Sequence, residues 1–265
     1  MKLDELKDAV AAGTIDTVVL AMTDMQGRLQ GKRLTATHFL GEVLENGAES
    51  CNYLLAVDVE MNTVGGYAMS SWERGYGDMV LVPDLDTLRA VPWQEGTAMC
   101  LADVAWLDGS DVLASPRQVL RRHLARLAER GWSANAGTEL EFMVFLDTYE
   151  EAWHKGFREL RPANLYNVDY SLLGTARVEP LIRRIRNDMA ATGIVVEDSK
   201  GECNYGQHEI NFRRCFRSCS PRTPSVPHDA SCMSRSGASR APRRSLRARC
   251  SWPATTPATS PPPPS

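Results

Sequence analysis

The sequence predicts an α+β fold in two consecutive units, and three observations carry that expectation. Short strand and helix signals follow one another over residues 3–108 without the strict alternation that builds a parallel sheet. A helix, a strand, a second helix and two further strands then fill residues 109–214. After Phe212 the patterning stops and the composition changes abruptly.

The first unit opens with a helix. Leu3, Leu6, Ala9 and Val10 form an apolar stripe at helical spacing, and Gly13 stands where a helix prefers to end. Ile15 to Met22 reads as a strand, Asp24-Met25-Gln26-Gly27 as a turn, and Arg28 to Leu34 as the returning strand of a hairpin. A short helix is expected over Ala36 to Leu44, stopped at Asn46-Gly47. Further strands are expected at Tyr53–Val57, Met79–Val82 and Cys100–Trp106, with a glycine-rich loop from Gly65 to Gly77.

Ser115-Pro116 begins the second unit with an N-cap residue and a proline at the first helical position. Leu120, Leu124 and Leu127 are its expected buried face. A strand over Thr138–Phe145 and a long polar loop precede a helix near Thr175–Thr192, in which Val178, Leu181, Ile182, Ile185 and Met189 face inward. Strands at Ile194–Glu197 and His208–Phe212 complete the patterned region.

Composition excludes several classes. With 43% hydrophobic and 24% charged residues the chain is globular, and its longest apolar runs fall far short of a membrane span. Met1-Lys2-Leu3-Asp4-Glu5 carries no secretory signal, so the expected compartment is cytoplasmic. Cys51, Cys100 and Cys203 are isolated and read as small core residues, and the spacing of Cys215, Cys219, Cys232 and Cys250 fits neither a zinc site nor a disulfide framework.

The net charge of -3 conceals a split. Residues 1–214 carry 22 Lys and Arg against 32 Asp and Glu, whereas residues 215–265 carry eight Arg and one acid, Asp229. This last segment holds ten of the 15 prolines and cannot bury enough apolar surface to offset ordering, so disorder is expected. Its Arg/Pro/Ser/Cys bias without Lys or Glu is what a GC-rich gene gives out of frame, and a frameshift near codon 214 is the expected origin. A basic nucleic-acid arm is the competing reading; scattered arginines and scarce aromatics rank it lower.

Two segments hold carboxylates in unusual settings. In Gly137-Thr138-Glu139-Leu140-Glu141-Phe142, strand alternation puts Glu139 and Glu141 on one face and Leu140, Phe142 and Val144 on the other. In Gly201-Glu202-Cys203-Asn204-Tyr205-Gly206-Gln207-His208-Glu209-Ile210, Glu209 lies on a strand backed by Ile210 and Phe212, and Glu202 precedes it across a glycine-containing loop. Like charges on one strand face are tolerated in the open or when cations neutralise them. Such oxygens suit Mg²⁺ or Mn²⁺ and phosphoryl transfer, but from the residues alone a solvated strand face is the commoner reading and a metal site the minority one. His208 reads as a packing or surface histidine.

Taken together, Glu-Leu-Glu-Phe and the later Gly-Glu…Gly-Gln-His-Glu-Ile resemble the metal-binding signature of the glutamine synthetase family. Ser115-Pro116-Arg117-Gln118-Val119-Leu120 resembles that family's first catalytic-domain helix. Asp78-Met79, Leu81, Pro83-Asp84 and Pro92-Trp93 resemble the end of its N-terminal β-grasp domain, and Thr23 to Arg28 the opening. The resemblance covers nearly all of residues 3–214.

It implies a β-grasp-like N-terminal domain over 3–108, then part of a mostly antiparallel catalytic domain over 109–214. It implies an ATP-dependent ligase that condenses glutamate with ammonia through γ-glutamyl phosphate; the alternative acceptors are polyamines or ethanolamine. Glu141, Glu202 and Glu209 match the first metal site, Glu139 one ligand of the second, and Glu197 a nucleotide contact. Asp58 matches an aspartate that completes a neighbouring subunit's active site and helps deprotonate ammonium. The implied partners are ATP, Mg²⁺ or Mn²⁺, glutamate, the amine and further copies of the chain in a ring. The downstream histidine, glutamate and arginines of the family have no counterpart, so this chain is expected to be catalytically incomplete, or a non-catalytic fragment co-assembling with intact paralogues.

Overall fold

The computed structural model describes residues 1–69, 75–134 and 138–213. The basic segment from 215 onward, with its expected disorder and frameshift, lies outside the described residues, as does Gly137.

Helix α1, Leu3–Ala11, forms as its stripe predicts, and the Lys2 backbone N–H donates to Glu5 Oε2 at 2.8 Å to fix its first turn. Leu6 is fully buried against a five-stranded sheet whose strands lie in the order β2 (Leu29–Thr35), β1 (Thr17–Thr23), β5 (Thr97–Trp106), β4 (Asp78–Ala90) and β3 (Ala48–Cys51). Strand β1 lies inside this sheet, antiparallel to β2 and parallel to β5. Val18, Leu20 and Met22 of β1 lie on its core face and are buried with Ala21, while Val19 on the opposite face is half-buried. Leu6, Leu20, Met22, Phe39, Met79 and Leu81 belong to one continuous core.

Three expectations need correction here. The helix after β2 is interrupted: α2 (Ala36–His38) runs through a π turn, Phe39–Val43, into α3 (Leu44–Asn46). The wide turn accompanies burial of both Phe39 and Val43, and Gly47 at φ +72° ends the segment. The strand expected at Tyr53–Val57 is instead a 3₁₀ turn, Asn52–Leu55, and the strand lies earlier, at β3 (Ala48–Cys51). Alternation there is carried by Ala48 and Ser50, residues too small and polar to announce a strand, and both are buried. Strand β4 (Asp78–Ala90) is far longer than Met79–Val82, because a bulge between Asp84 and Arg89 lets it continue past Pro83. At the bulge the Thr87 hydroxyl donates to the Asp84 carbonyl at 2.6 Å and accepts from Leu101 N–H at 2.8 Å, replacing a lost ladder bond.

Helix α4 (Pro116–Ala128) has Ser115 at its N-cap, and of its expected leucine face Leu124 and Leu127 are half-buried. Leu120 is exposed, while Gln118 is buried and donates to Asp111 Oδ1 at 2.9 Å. The helix is held by charge. Arg117 Nε lies 2.9 Å from Asp103 Oδ1 and its Nη2 reaches Asp84; Arg121 Nη1 lies 2.5 Å from Asp103 Oδ2. Two arginines one turn apart thus grip two aspartates on adjacent strands of the first sheet.

The second sheet is antiparallel, in the order β6-β8-β7: β6 (Leu140–Met143), β7 (Val195–Gly201) and β8 (Gln207–Arg213). Helix α7 (Glu179–Ala191) buries Ile182 against it, beside Val178, Ala163, Phe142 and Val144. Leu181, expected inward, is exposed. The long loop is partly helical, with α5 (Tyr149–His154) and α6 (Leu172–Thr175). Thr148 and Glu151 form a capping box that the sequence reading passed over. Among the described residues no helix is long and apolar enough to cross a membrane.

Candidate metal centre

The second sheet sets its functional face by register. Glu141 of β6 stands directly opposite Glu209 of β8, and Glu209 in turn stands opposite Lys200 of β7. The three side chains form one cross-strand row, acid–acid–base. The other face carries Phe142, His208 and Ile210, of which His208 and Ile210 are buried. His208 is a packing residue: its ring stacks on Phe142, its Nε2 lies 3.4 Å from the Asn164 amide, and burial pushes its pKa down.

Opposed carboxylates repel unless a cation stands near them. Here it is Lys200. Its ammonium pairs with Glu209 Oε2 at 2.7 Å and with Glu202 Oε1, and it sits 4.8 Å from the centre of the Tyr170 ring. The Lys200 hydrogen bond holds the Glu202 carboxyl below its usual range, and the two glutamates raise the lysine's pKa, Glu202 foremost. Glu209 keeps only 7% of its side-chain surface exposed.

Backbone geometry builds this clasp. Glu202 N–H donates to the Gln207 carbonyl at 3.0 Å, closing the turn between β7 and β8 so that Glu202 folds back beside Glu209. Gly206 makes the turn at φ +72°, where an added Cβ would meet the Val144 carbonyl oxygen at 2.6 Å. At Gly201 a Cβ would fall 2.3 Å from the Val168 carbonyl oxygen. The missing side chain lets the 168–170 segment press against β7 and carry Tyr170 to Lys200.

The predicted residues are thus only partly assembled. Glu202 and Glu209 converge on one ammonium, and Glu141 is their register neighbour but is turned aside, accepting from Gln207 Nε2 at 2.6 Å. Glu139 lies just ahead of β6 rather than on it, and is exposed. Glu197 is not the end of a strand, as expected, but sits inside β7 at a bulge, where Arg213 Nε lies 2.5 Å from its Oε1. Asp58 belongs to a loop of the first unit and is occupied there. Its Oδ1 accepts from Glu60 and Asn62 N–H and its Oδ2 from Asn62 Nδ2, bonds that hold its carboxyl below the usual range.

Lys200, Tyr170 and Asp169 escaped the sequence reading, and Gln207 was seen only as part of the motif, without a role. Asp169 lies on the rim, accepting from Cys203 Sγ at 3.5 Å, and Cys203 is exposed rather than the core residue expected. Lys200 had one signal, its two-residue spacing from Glu202 at the end of a strand.

The donors fit a hard divalent ion. They are carboxylate oxygens, and a cation, the Lys200 ammonium, already stands where two of them meet.

Comparison with known proteins identifies the family. Residues 113–218 match the glutamine synthetase catalytic domain. The chain is 68% identical over 211 residues to gamma-glutamylethanolamide synthetase GlnA4 of Streptomyces coelicolor, a match covering 80% of this chain and 46% of that protein. It is 32% identical over 209 residues to a glutamate–isopropylamine ligase of a Pseudomonas species, covering 79% of this chain and 46% of that one. Among solved structures, ligand-free GmaS superposes with a TM-score of 0.60 at 22% identity, over 77% of this chain and 44% of its own. The chain therefore spans less than half the length of these relatives. On its catalytic-domain match and its identities it belongs to the glutamine synthetase family, of whose members it spans a part, and the superposition shows the shared fold.

Proposed function

We propose that the chain is the N-terminal part of an ATP-dependent γ-glutamyl ligase whose acceptor is a small primary amine of the ethanolamine type rather than ammonia. The observation that carries this reading is the 68% identity to gamma-glutamylethanolamide synthetase over 211 residues, supported by the amine ligase at 32%. The expected ammonia ligase gives way to the alternative that the sequence had left beside it.

In this reading Glu141, Glu202 and Glu209 would hold Mg²⁺ or Mn²⁺, and Glu139 would contribute to a second ion. Bound there, a divalent ion would supply charge neutralisation for the phosphate oxygens of ATP. The protein's part is to fix the carboxylates on one stiff antiparallel face, with packed His208 and Ile210 behind it. Gln207 orients Glu141, and Glu197 faces the nucleotide once Arg213 releases it. Asp58 serves an adjoining subunit; with its pKa held low it is a weak base, so attracting the cationic amine suits it better than removing its proton.

The test is ligation by the protein expressed at the full length of its gene. With glutamate and ATP, phosphate release should be more than about ten-fold faster with ethanolamine than with equal ammonium. Equal or better turnover with ammonium refutes the amine assignment.

A further inference from the structure

We propose that Lys200 is a built-in placeholder for the divalent ion, holding Glu202 and Glu209 together in the metal-free protein and leaving when the ion enters.

The inference rests on the metal-site reading above, and its evidence is the geometry of one side chain. Lys200 is not a surface lysine with an incidental partner, since only 18% of its side chain is exposed. It is fixed by register opposite Glu209, and its ammonium meets one oxygen from each of two carboxylates, Glu202 Oε1 and Glu209 Oε2. Two oxygens converging on a single positive centre are the first half of a hard-cation coordination shell. An ammonium and a divalent ion cannot share that seat, because each needs the same lone pairs and the two cations repel.

An exit is also present. Tyr170 stands with its ring 4.8 Å from the ammonium on the exposed side of the clasp, a face that attracts a cation and can hold it after displacement. Gly201 admits the segment that brings this ring close. Lys200 thereby prevents the repulsion that Glu202 and Glu209 would suffer without metal, and every ion that binds must first break its pairing.

The experiment measures Mn²⁺ binding by titration calorimetry on the 265-residue chain, as wild type, Lys200→Gln and Glu209→Gln. A placeholder predicts that Lys200→Gln binds Mn²⁺ about five- to ten-fold more tightly, the size expected when a partly exposed ion pair no longer has to be broken. Its metal-free form should also melt below wild type, with the gap closing in saturating Mn²⁺. Unchanged or weaker binding by Lys200→Gln, alongside weakened binding by Glu209→Gln, overturns the placeholder while leaving the metal site standing. Binding that Glu209→Gln does not weaken sinks the metal-site reading, and the placeholder with it. Should Lys200→Gln fold poorly, the wild type decides. Acetylation of Lys200 by an N-hydroxysuccinimide ester, followed by mass spectrometry, should accelerate several-fold on adding Mg²⁺, and a rate indifferent to Mg²⁺ overturns the proposal.

Discussion

Glu141 and Glu209 stand opposite one another in the β6–β8 ladder, yet their carboxylates are held by different partners: Gln207 turns one aside and Lys200 claims the other. The pair is therefore two separately tethered ligands rather than one pre-closed cage. Replacing Glu141 by Gln should weaken Mn²⁺ binding less than replacing Glu209, by about three-fold against ten-fold or more. Electron paramagnetic resonance titration of free Mn²⁺ gives both constants, and Glu197→Gln is the control expected to leave them unchanged.

The charge lattice beneath α4 carries a stability prediction. Arg117 keeps 21% of its side chain exposed, with Asp103 and Asp84 as its counter-ions. Asp103→Ala removes one of the two aspartates that Arg117 and Arg121 share and should cost about 2 kcal/mol, since it leaves partly buried cations under-compensated. Urea unfolding followed by tryptophan fluorescence measures the change.

Acid should loosen the 147–161 loop. The Lys155 ammonium, followed by the Arg161 backbone N–H, holds the Asp147 carboxyl at about 2, against an ordinary value of 3.8. A depressed carboxylate stabilises the fold fully above its unfolded pKa, and that contribution disappears as pH falls from about 4 toward 2. Asp147→Asn should be less stable than wild type at neutral pH and show a shallower loss across that window, which thermal melts at several pH values would reveal.

The thiols should separate by reactivity. Burial pushes the Cys100 thiol up to about 11, while Cys203 lies exposed beside Asp169. Iodoacetamide at pH 8 should alkylate Cys203 in the native protein and spare Cys100 until denaturant is added, as site-resolved mass spectrometry would show.

Gly201→Ala tests the close approach of backbone to backbone. Its Cβ would collide with the Val168 carbonyl oxygen, so β7 and the 168–170 segment must separate, at about 2 kcal/mol. A loss of fluorescence or NMR coupling between Tyr170 and the Lys200 environment should accompany the lower melting temperature.

Where periodicity and end signals agreed, the fold was legible. The stripe of α1 with Gly13, the hairpin around Asp24–Gly27 and the Ser115-Pro116 start of α4 each form as read. Three kinds of feature were hidden. Strand β3 packs through Ala48 and Ser50, whose small side chains leave no hydrophobic trace. The extension of β4 depends on Thr87 bonding across a bulge, a tertiary event. The α4 leucines satisfied the pattern, but Arg117 and Arg121 found aspartates on other strands and set the helix's rotation. At the candidate site the acids were visible because their spacing is local. Lys200 was not, because its importance comes from standing across the ladder from Glu209.

The first hairpin has a consequence for the order in which the molecule assembles. Burial alone would push Asp24 upward, but the Arg28 N–H and the Gln30 and Arg28 side chains outweigh it and keep the carboxylate ionised. Arg28, so anchored, donates to the carbonyls of Asp58 and Val59 at 2.9 and 2.6 Å, and Gln26 Nε2 donates to that of Val57 at 2.8 Å. A hairpin closed by a four-residue turn forms within microseconds, long before contacts thirty residues apart. The turn thus becomes a mould on which the loop bearing Asp58 is later cast, and the shape of that loop is inherited from residues it meets last.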